Sequence, residues 1–350
     1  MKTIKIGDKH IGLNHPCFII AELSANHGGD INIAIETIKE AKRIGADAVK
    51  LQTFTPDTIT LDVKNDYFFI NHGTQWDGQY LYDLYKETHL PMEWHETLFK
   101  MAKEEGIICF SSPFDLTSVD FLEKFNVPAY KIASPEIRDI PLIEACAKTG
   151  KPIIISTGIA TIEDIDLAIQ TCRNVGNDNI VLLKCTTSYP APVEDANLKT
   201  IKNFEDTFNV IPGLSDHTLG VVVPTVSVAL GAKVIEKHII LDKKIGGADA
   251  SFSLDINEFF SMINSVRDAE KSIGKVSYNI GEKATKLSQL ASRSLFIVED
   301  VKEGDIITSK NVRSIRPGNG IHPKYYKETL GRKFVGDLKK GTPLSFDYFK

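Results

Sequence analysis

Eight short apolar runs, each followed by a stretch with helical periodicity, are the feature that most restricts the folds open to this sequence. They read CFIIAE at 17–22, AVKLQTF at 48–54, IICFSSP at 107–113, AYKIAS at 129–134, PIIISTG at 152–158, IVLLKCT at 180–186, VIPGLSDHT at 210–218 and VIEKHII at 234–240. Runs of this length, rich in β-branched residues, read as buried strands. The segments between them, such as INIAIETIKEAKRIG and TIEDIDLAIQTCRNVG, repeat apolar residues three and four apart and end on a glycine suited to a helix C-cap. Eight alternating units over residues 1–275 predict an α/β fold, a (β/α)8 TIM barrel.

Two regions depart from that rhythm. Residues 55–90, rich in aromatics, are too long a connection between the second strand and its helix, and long loops at that end of a barrel shape or cover a site. Residues 276–289 are polar and read as a linker or extended arm. From 290 to 350 short strands alternate with turns at KEGD and KKGT, which predicts a separate small domain.

Composition narrows the function. With 350 residues, 42% of them hydrophobic, the chain can bury a large core. A net charge of -5 without blocks of like charge argues against nucleic acid and anionic membrane as partners. No window approaches 18 uninterrupted apolar residues, and no apolar leader follows the N-terminal lysines, so neither a membrane span nor an exported chain is expected. Cys17, Cys109, Cys146, Cys172 and Cys185 are odd in number, lack C-x-x-C spacing and sit mostly in apolar runs, which predicts reduced thiols and a cytoplasmic protein.

In a (β/α)8 barrel the functional side chains come from the C-terminal ends of the strands. Here those ends are polar: Glu22, Lys50 with Gln52, Ser112, Lys131 with Ser134 and Glu136, Ser156, Thr187 with Tyr189, Ser215 with His217, and Glu236 with His238. Residues two apart on a strand share a face, so Asp216 and Lys237 turn the other way. His217 and His238 then stand at similar depth on adjacent strands, and two neutral imidazoles can share one divalent ion, Mn2+, Mg2+ or Co2+, in an open site. The alternative is a pair of hydrogen-bonded core histidines. Lys50 and Lys131, in otherwise apolar strands among hydroxyls, predict a site for a small polyanion, unless carboxylates such as Glu22 or Glu136 neutralise them. Glu22, Glu136, Glu236 and Asp249 are candidates for holding hydroxyls or moving protons, with Gly246 and Gly247 turning Asp249 back over the mouth.

Read in order, IIAELSANHGG, GADAVKLQTF, FSSPFD, YKIAS, ISTGIAT, KCTTSYPAP, GLSDHTLG, GAKVIEKHI and RPGNGIHPK resemble the sialic acid synthase family over nearly the whole chain. The resemblance implies a barrel that condenses phosphoenolpyruvate with an N-acetylated amino sugar, followed by a C-terminal antifreeze-like (SAF) capping domain in a domain-swapped homodimer. TPDTITLD, GTQWDG, LYDLYKET and RSLF resemble the pseudaminic acid branch, which implies a 2,4-diacetamido-2,4,6-trideoxy hexose of the altrose type. Carried over residue by residue, the resemblance makes His217 and His238 metal ligands and puts Lys50, Ser112, Lys131, Ser134, Ser156 and Ser215 around phosphoenolpyruvate. It puts Glu22, Gln52, Tyr189, Glu236 and Asp249 around the sugar and metal, and makes Arg316 the arginine contributed by the capping domain. Thr187 stands where the family often has asparagine beside the phosphate. N-acetylmannosamine or a legionaminic acid precursor would suit the same chemistry. Two other classes compete: a Schiff-base aldolase using Lys131 or Lys184, and a carbohydrate-binding protein without catalysis.

Overall fold

A computed structural model describes residues 2–350, and the chain divides into two compact units, one ending at Gly274 and the other beginning at Lys275. The first opens with a hairpin of β1 (Ile4–Ile6) and β2 (Lys9–Ile11), which the sequence reading did not anticipate. It turns at Gly7, whose φ of 58° is a conformation that glycine adopts without a Cβ penalty.

Eight parallel strands follow and close on themselves: β3 (Phe18–Glu22), β4 (Ala48–Thr53), β5 (Ile108–Pro113), β6 (Tyr130–Ile132), β7 (Ile153–Ser156), β8 (Ile180–Cys185), β9 (Ile211–Asp216) and β10 (Val234–His238). Each coincides with one of the eight expected runs, and β10 pairs with β3 to complete the barrel. The strands are apolar throughout because both faces are covered, inward by the barrel's own filling and outward by helices. Ile20, Phe110, Ile154 and Leu183 turn inward, in step with Glu22, Ser112, Ser156 and Cys185, and cluster with Ile4, Ile6 and Ile11 of the hairpin. Ile19, Val49 and Ile235 face outward and pack with Ala34, Ile38 and Ala41 of the helix Ile31–Ile44.

The helices start and stop where local chemistry directs them. Asp30 accepts from the Asn32 N–H at the start of the first, and Gly45 ends it in the left-handed conformation. Thr161 with Asp164, and Asp255 with Glu258, form reciprocal capping boxes on later helices.

Register sets the site. Glu22 pairs with both His238 and Lys50, Gln52 with Ser112, and Ser215 with both Glu236 and Cys185. Inside the long connection 55–90 the structure holds two short helices, Pro56–Ile59 and Leu81–Thr88, and a bridge between Phe69 and Tyr80.

The second unit carries the antiparallel pair β11 (Ser294–Ile297) and β12 (Val312–Ile315) around a core of Leu295, Ile297, Val312, Phe334 and Leu344. The expected turns are there, with Gly304 and Gly341 both at positive φ. The polar stretch read as a linker or extended arm is not extended throughout, since Glu282–Ala291 forms an α-helix. Alanine, lysine, glutamate and leucine favour helix more strongly than polarity favours disorder.

Candidate active site

A cavity of about 590 Å³ opens at the C-terminal ends of the barrel strands, and nearly every polar residue expected there lines it. Lys50, Gln52, Lys131, Ser156, Ser215, Glu236 and His238 point inward as the strand alternation requires. Asp216 and Lys237 point outward and bond to each other behind the sheet. Ser112 is an exception. It is fully buried under Lys50, 3.4 Å from Nζ, and supports the ammonium rather than forming the cavity wall.

The two lysines are not free. Lys50 Nζ lies 3.0 Å from Glu22 Oε2 and 3.0 Å from Glu236 Oε1, while Lys131 Nζ lies 3.4 Å from the same Glu236 oxygen. One carboxylate oxygen therefore serves two ammoniums. Burial pushes the Glu236 carboxyl up, but Lys131 and Lys50 outweigh it and hold it well below the ordinary range. Glu22 moves the other way, because burial and the neighbouring Glu236 charge exceed the pull of Lys50. Burial likewise acts to lower Lys131, with Glu236 pulling the other way.

Beside the lysines lies a cradle of unused donors. Ser156 Oγ and Thr187 Oγ1 are buried without any hydrogen-bond partner. Ser134 Oγ accepts from the Gly158 N–H at 3.0 Å, and a Cβ built on Gly158 would sit 1.8 Å from Thr187 Oγ1. Only glycine lets the backbone of the loop after β7 approach this closely. Buried hydroxyls left unpaired cost about 1–3 kcal/mol each, and a ligand with several acceptor oxygens relieves that cost. Thr187 thus holds a hydroxyl donor at the position where the resemblance leads one to expect asparagine.

The two histidines line the same cavity, their ring centroids 5.3 Å apart. His217 Nδ1 is 2.9 Å from the Thr186 carbonyl, which can only accept, so that nitrogen carries a proton, and in the neutral ring Nε2 keeps its lone pair. His238 Nδ1 is buried without a hydrogen-bond partner, Asp249 Oδ2 being 3.8 Å away. Burial, with His217 and Lys50 nearby, keeps His238 neutral, the form that ligates metal. Among the described residues no three His, Cys, Asp or Glu side chains converge on one point. What the barrel supplies is a pair of imidazoles on neighbouring strands that face one cavity.

The remaining candidates surround this pair. Gln52 Nε2 donates to Glu22 Oε1 and to Ser24 Oγ, both at 2.9 Å, and Ser24 in turn donates to Asp249. Tyr189 lies 4.4 Å from the His217 ring, and Glu136 faces the cavity with Oε2 unpartnered. Burial raises Glu136 from an ordinary 4.5 to about 7. Lys184 is outside the cavity, its Nζ donating to the Cys185 carbonyl at 2.8 Å. Arg316 is exposed on the turn after β12 in the second unit.

Several contributors were not singled out from sequence. Cys185 lies 3.9 Å from His217 Nδ1; burial acts to raise its thiol, but His217 outweighs it and brings it down to about 7. Positive charge at His217, whether proton or cation, is thereby favoured. Ser24, Gly158 and the individual aromatics of the long connection, Trp76 included, were also missed, although that connection as a whole was expected to shape or cover the site. The run of aromatics between 67 and 85 was the available signal.

Such a barrel, with an anion cradle and an imidazole pair sharing one mouth, defines a class of synthase-like (β/α)8 proteins, and comparison with known proteins narrows it. A profile described as the NeuB family matches residues 37–278, and one described as SAF domain matches residues 292–350. The chain is 46% identical over 333 residues to a pseudaminic acid synthase of Campylobacter jejuni, covering 95% of this chain and 96% of that one. It is 46% identical over 332 residues to a pseudaminic acid synthase of Helicobacter pylori, covering 95% and 97%. Among solved structures, the N-acetylneuraminic acid synthetase of Leptospira borgpetersenii in complex with citrate superposes with a TM-score of 0.72 at 30% identity, covering 82% of this chain and 95% of that one. The chain belongs to the NeuB family.

Proposed function

We propose that this protein condenses phosphoenolpyruvate with the altrose-type 2,4-diacetamido-2,4,6-trideoxy hexose, giving pseudaminic acid and phosphate. The observation that carries the reading is the presence of two buried lysines, the unpartnered Ser156 and Thr187 hydroxyls and the histidine pair in one cavity. The high identity to pseudaminic acid synthases supports the choice of sugar.

In the balanced reaction, carbon three of the enol phosphate bonds to the sugar aldehyde carbon, water adds at carbon two, and the bond from carbon two to the bridging oxygen breaks, so phosphate departs with that oxygen. Lys50 and Lys131 hold the anion and neutralise the leaving phosphate, while Ser134, Ser156, Thr187 and Ser215 donate to its oxygens. Ser112 keeps Lys50 in place. A divalent cation, Mn2+, Mg2+ or Co2+, when held by His217 and His238, supplies Lewis-acid polarisation of the aldehyde oxygen. Gln52, Tyr189 and Asp249 orient the sugar. Glu136, near 7, can hold or release a proton at neutral pH, and Glu22 and Glu236 share proton and water positioning across the lysines.

The reading extends to the organisation of the chain, with residues 1–275 as the synthase barrel, 276–289 as connection and 290–350 as capping domain. It includes a homodimer in which Arg316 serves the site of a second copy. Mixing Arg316→Ala chains with His217→Ala chains should restore part of the activity if sites are shared, and none if they are not. Five free cysteines suit a reducing cytoplasm. Among the described residues no helix is long and apolar enough to cross a membrane.

Phosphate release from phosphoenolpyruvate tests the function. The altrose-type sugar should support it far better than its mannose-type isomer or N-acetylmannosamine, and oxygen label in the bridging position should appear in phosphate. No release with any of these sugars, label retained in the nine-carbon product, or a borohydride-trapped lysine adduct would each overturn the reading.

A further inference from the structure

The long connection 55–90 is tied across the mouth of the barrel by two adjacent side chains. Gln75 Nε2 and Trp76 Nε1 both donate to the Ala248 carbonyl, at 2.9 and 3.3 Å, and Ser251 Oγ donates back to Gln75 Oε1 at 2.8 Å. The tip that carries them is itself fixed. Asp77 accepts from the backbone N–H groups of His72, Gly73 and Thr74 and from the Thr74 hydroxyl, an arrangement that holds its carboxyl below the ordinary range. Ile70 and Gly78 close the base of the same turn through the Ile70 N–H to Gln79 and the Gly78 N–H to Ile70, both at 2.9 Å.

Trp76 touches the two elements that flank the histidine pair. Ala248 precedes Asp249, which accepts from Ser24 and lies 3.8 Å from His238 Nδ1. Its ring centroid is 5.4 Å from that of Tyr189, which is 4.4 Å from His217 and 5.0 Å from Phe252. Rings therefore run without a gap from the loop tip to the imidazoles. The same connection contributes an apolar patch to the cavity wall, Phe69, Ile70, Leu81 and Leu84, alongside the polar Tyr67, His72, Thr74, Tyr85 and Thr88. The floor, by contrast, carries the lysines and carboxylates. A wall of this kind accepts methyl groups and leaves a hydroxyl without partners, which disfavours it by up to about a hundredfold.

We propose that Trp76 is a positioning and specificity-determining residue. It holds the Asp249 turn and Tyr189 in place and closes an apolar wall that receives the acetamido and deoxy methyl groups of the sugar. This rests on the reading of the reaction given above. Trp76 contacts Ala248 and Tyr189 and neither the lysines nor the cradle hydroxyls, so its loss is expected at the sugar and not at the enol phosphate.

The test is steady-state kinetics of the full-length chain with both substrates varied. Trp76→Ala should raise KM for the trideoxy sugar about tenfold, equivalent to about 1.4 kcal/mol, while KM for phosphoenolpyruvate stays within about twofold. The preference over N-acetylmannosamine should narrow at the same time. Trp76→Phe, which keeps a ring beside Tyr189 and loses only the N–H, should retain the preference with a smaller rise in KM, and it guards against a misfolded alanine variant. Parallel rises in both KM values, or no change in either, overturn the proposal. Absence of phosphate release from the unmodified protein would instead overturn the reading of the reaction, and this inference with it.

Discussion

Two buried lysine–carboxylate groups occupy opposite faces of β10, and they are built to different rules. On the outer face Lys237 bonds to Asp216 and to the Thr218 carbonyl, and Asp216 also accepts from the Thr218 N–H and hydroxyl, both at 3.1 Å. On the inner face Lys50 and Lys131 crowd one oxygen of Glu236, while Glu236 Oε2 and His238 Nδ1 lack hydrogen-bond partners. The outer group is saturated and ties β9 to β10. The inner one is left open at a cost in stability, which a ligand can repay. Neighbouring residues of one strand are thus separated by parity alone into structural and chemical members.

The widest split between the faces is expected at Lys131→Met. Turnover should fall by about 10⁴-fold, or about 5 kcal/mol, while the thermal midpoint moves by less than about 3 °C. His217→Ala, His238→Ala and reversible chelation should act in the same sense. A variant that unfolds early yet keeps its turnover would move Lys131 to the structural class, and full activity after exhaustive metal removal would take the histidine pair out of the chemistry.

Asp216→Ala should give the opposite signature, since it leaves the Lys237 ammonium buried and unpaired. A loss of about 3–5 kcal/mol in urea unfolding is expected. An unchanged midpoint would show that the outer pair does not hold the sheet.

Thr187→Ala and Ser156→Ala sharpen the contrast further. Each removes an unpartnered hydroxyl, so stability should hold or rise while KM for phosphoenolpyruvate increases about tenfold. A loss of stability would mean that those hydroxyls are satisfied in the folded protein.

The smallest effect concerns Glu136, raised by burial from 4.5 to about 7. With the folded value above the unfolded one, its contribution to stability is complete below about 4.5 and is lost as the pH climbs through 7. Glu136→Gln should flatten the decline in unfolding free energy between about pH 5 and pH 8 by on the order of 1 kcal/mol. An identical slope in both proteins would mean that Glu136 is ionised without penalty.

The barrel was legible because strands buried on both faces and helices amphipathic on one leave different periodicities. Alternation also placed Lys50 beside Gln52 and set Lys237 apart from His238, since it needs no tertiary information. What stayed hidden depends on contacts between residues far apart in the chain. The sharing of Glu236 by two lysines, the close approach of Gly158 to Thr187 and the reach of Trp76 to Ala248 join different strands or loops. The β1–β2 hairpin was missed because its three-residue strands fall below the length at which alternation can be read. The Glu282–Ala291 helix was missed because polarity was given more weight than intrinsic propensity.

That hairpin has a consequence for traffic. Ile4, Ile6 and Ile11 join the cluster that fills the lower end of the barrel, so the site is a well stoppered from beneath. Reactants and products must then use the same doorway, and a well fills from its floor upward. If phosphoenolpyruvate sits on the lysines as proposed above, it has to enter ahead of the sugar, and phosphate leaves after the larger product has cleared the rim.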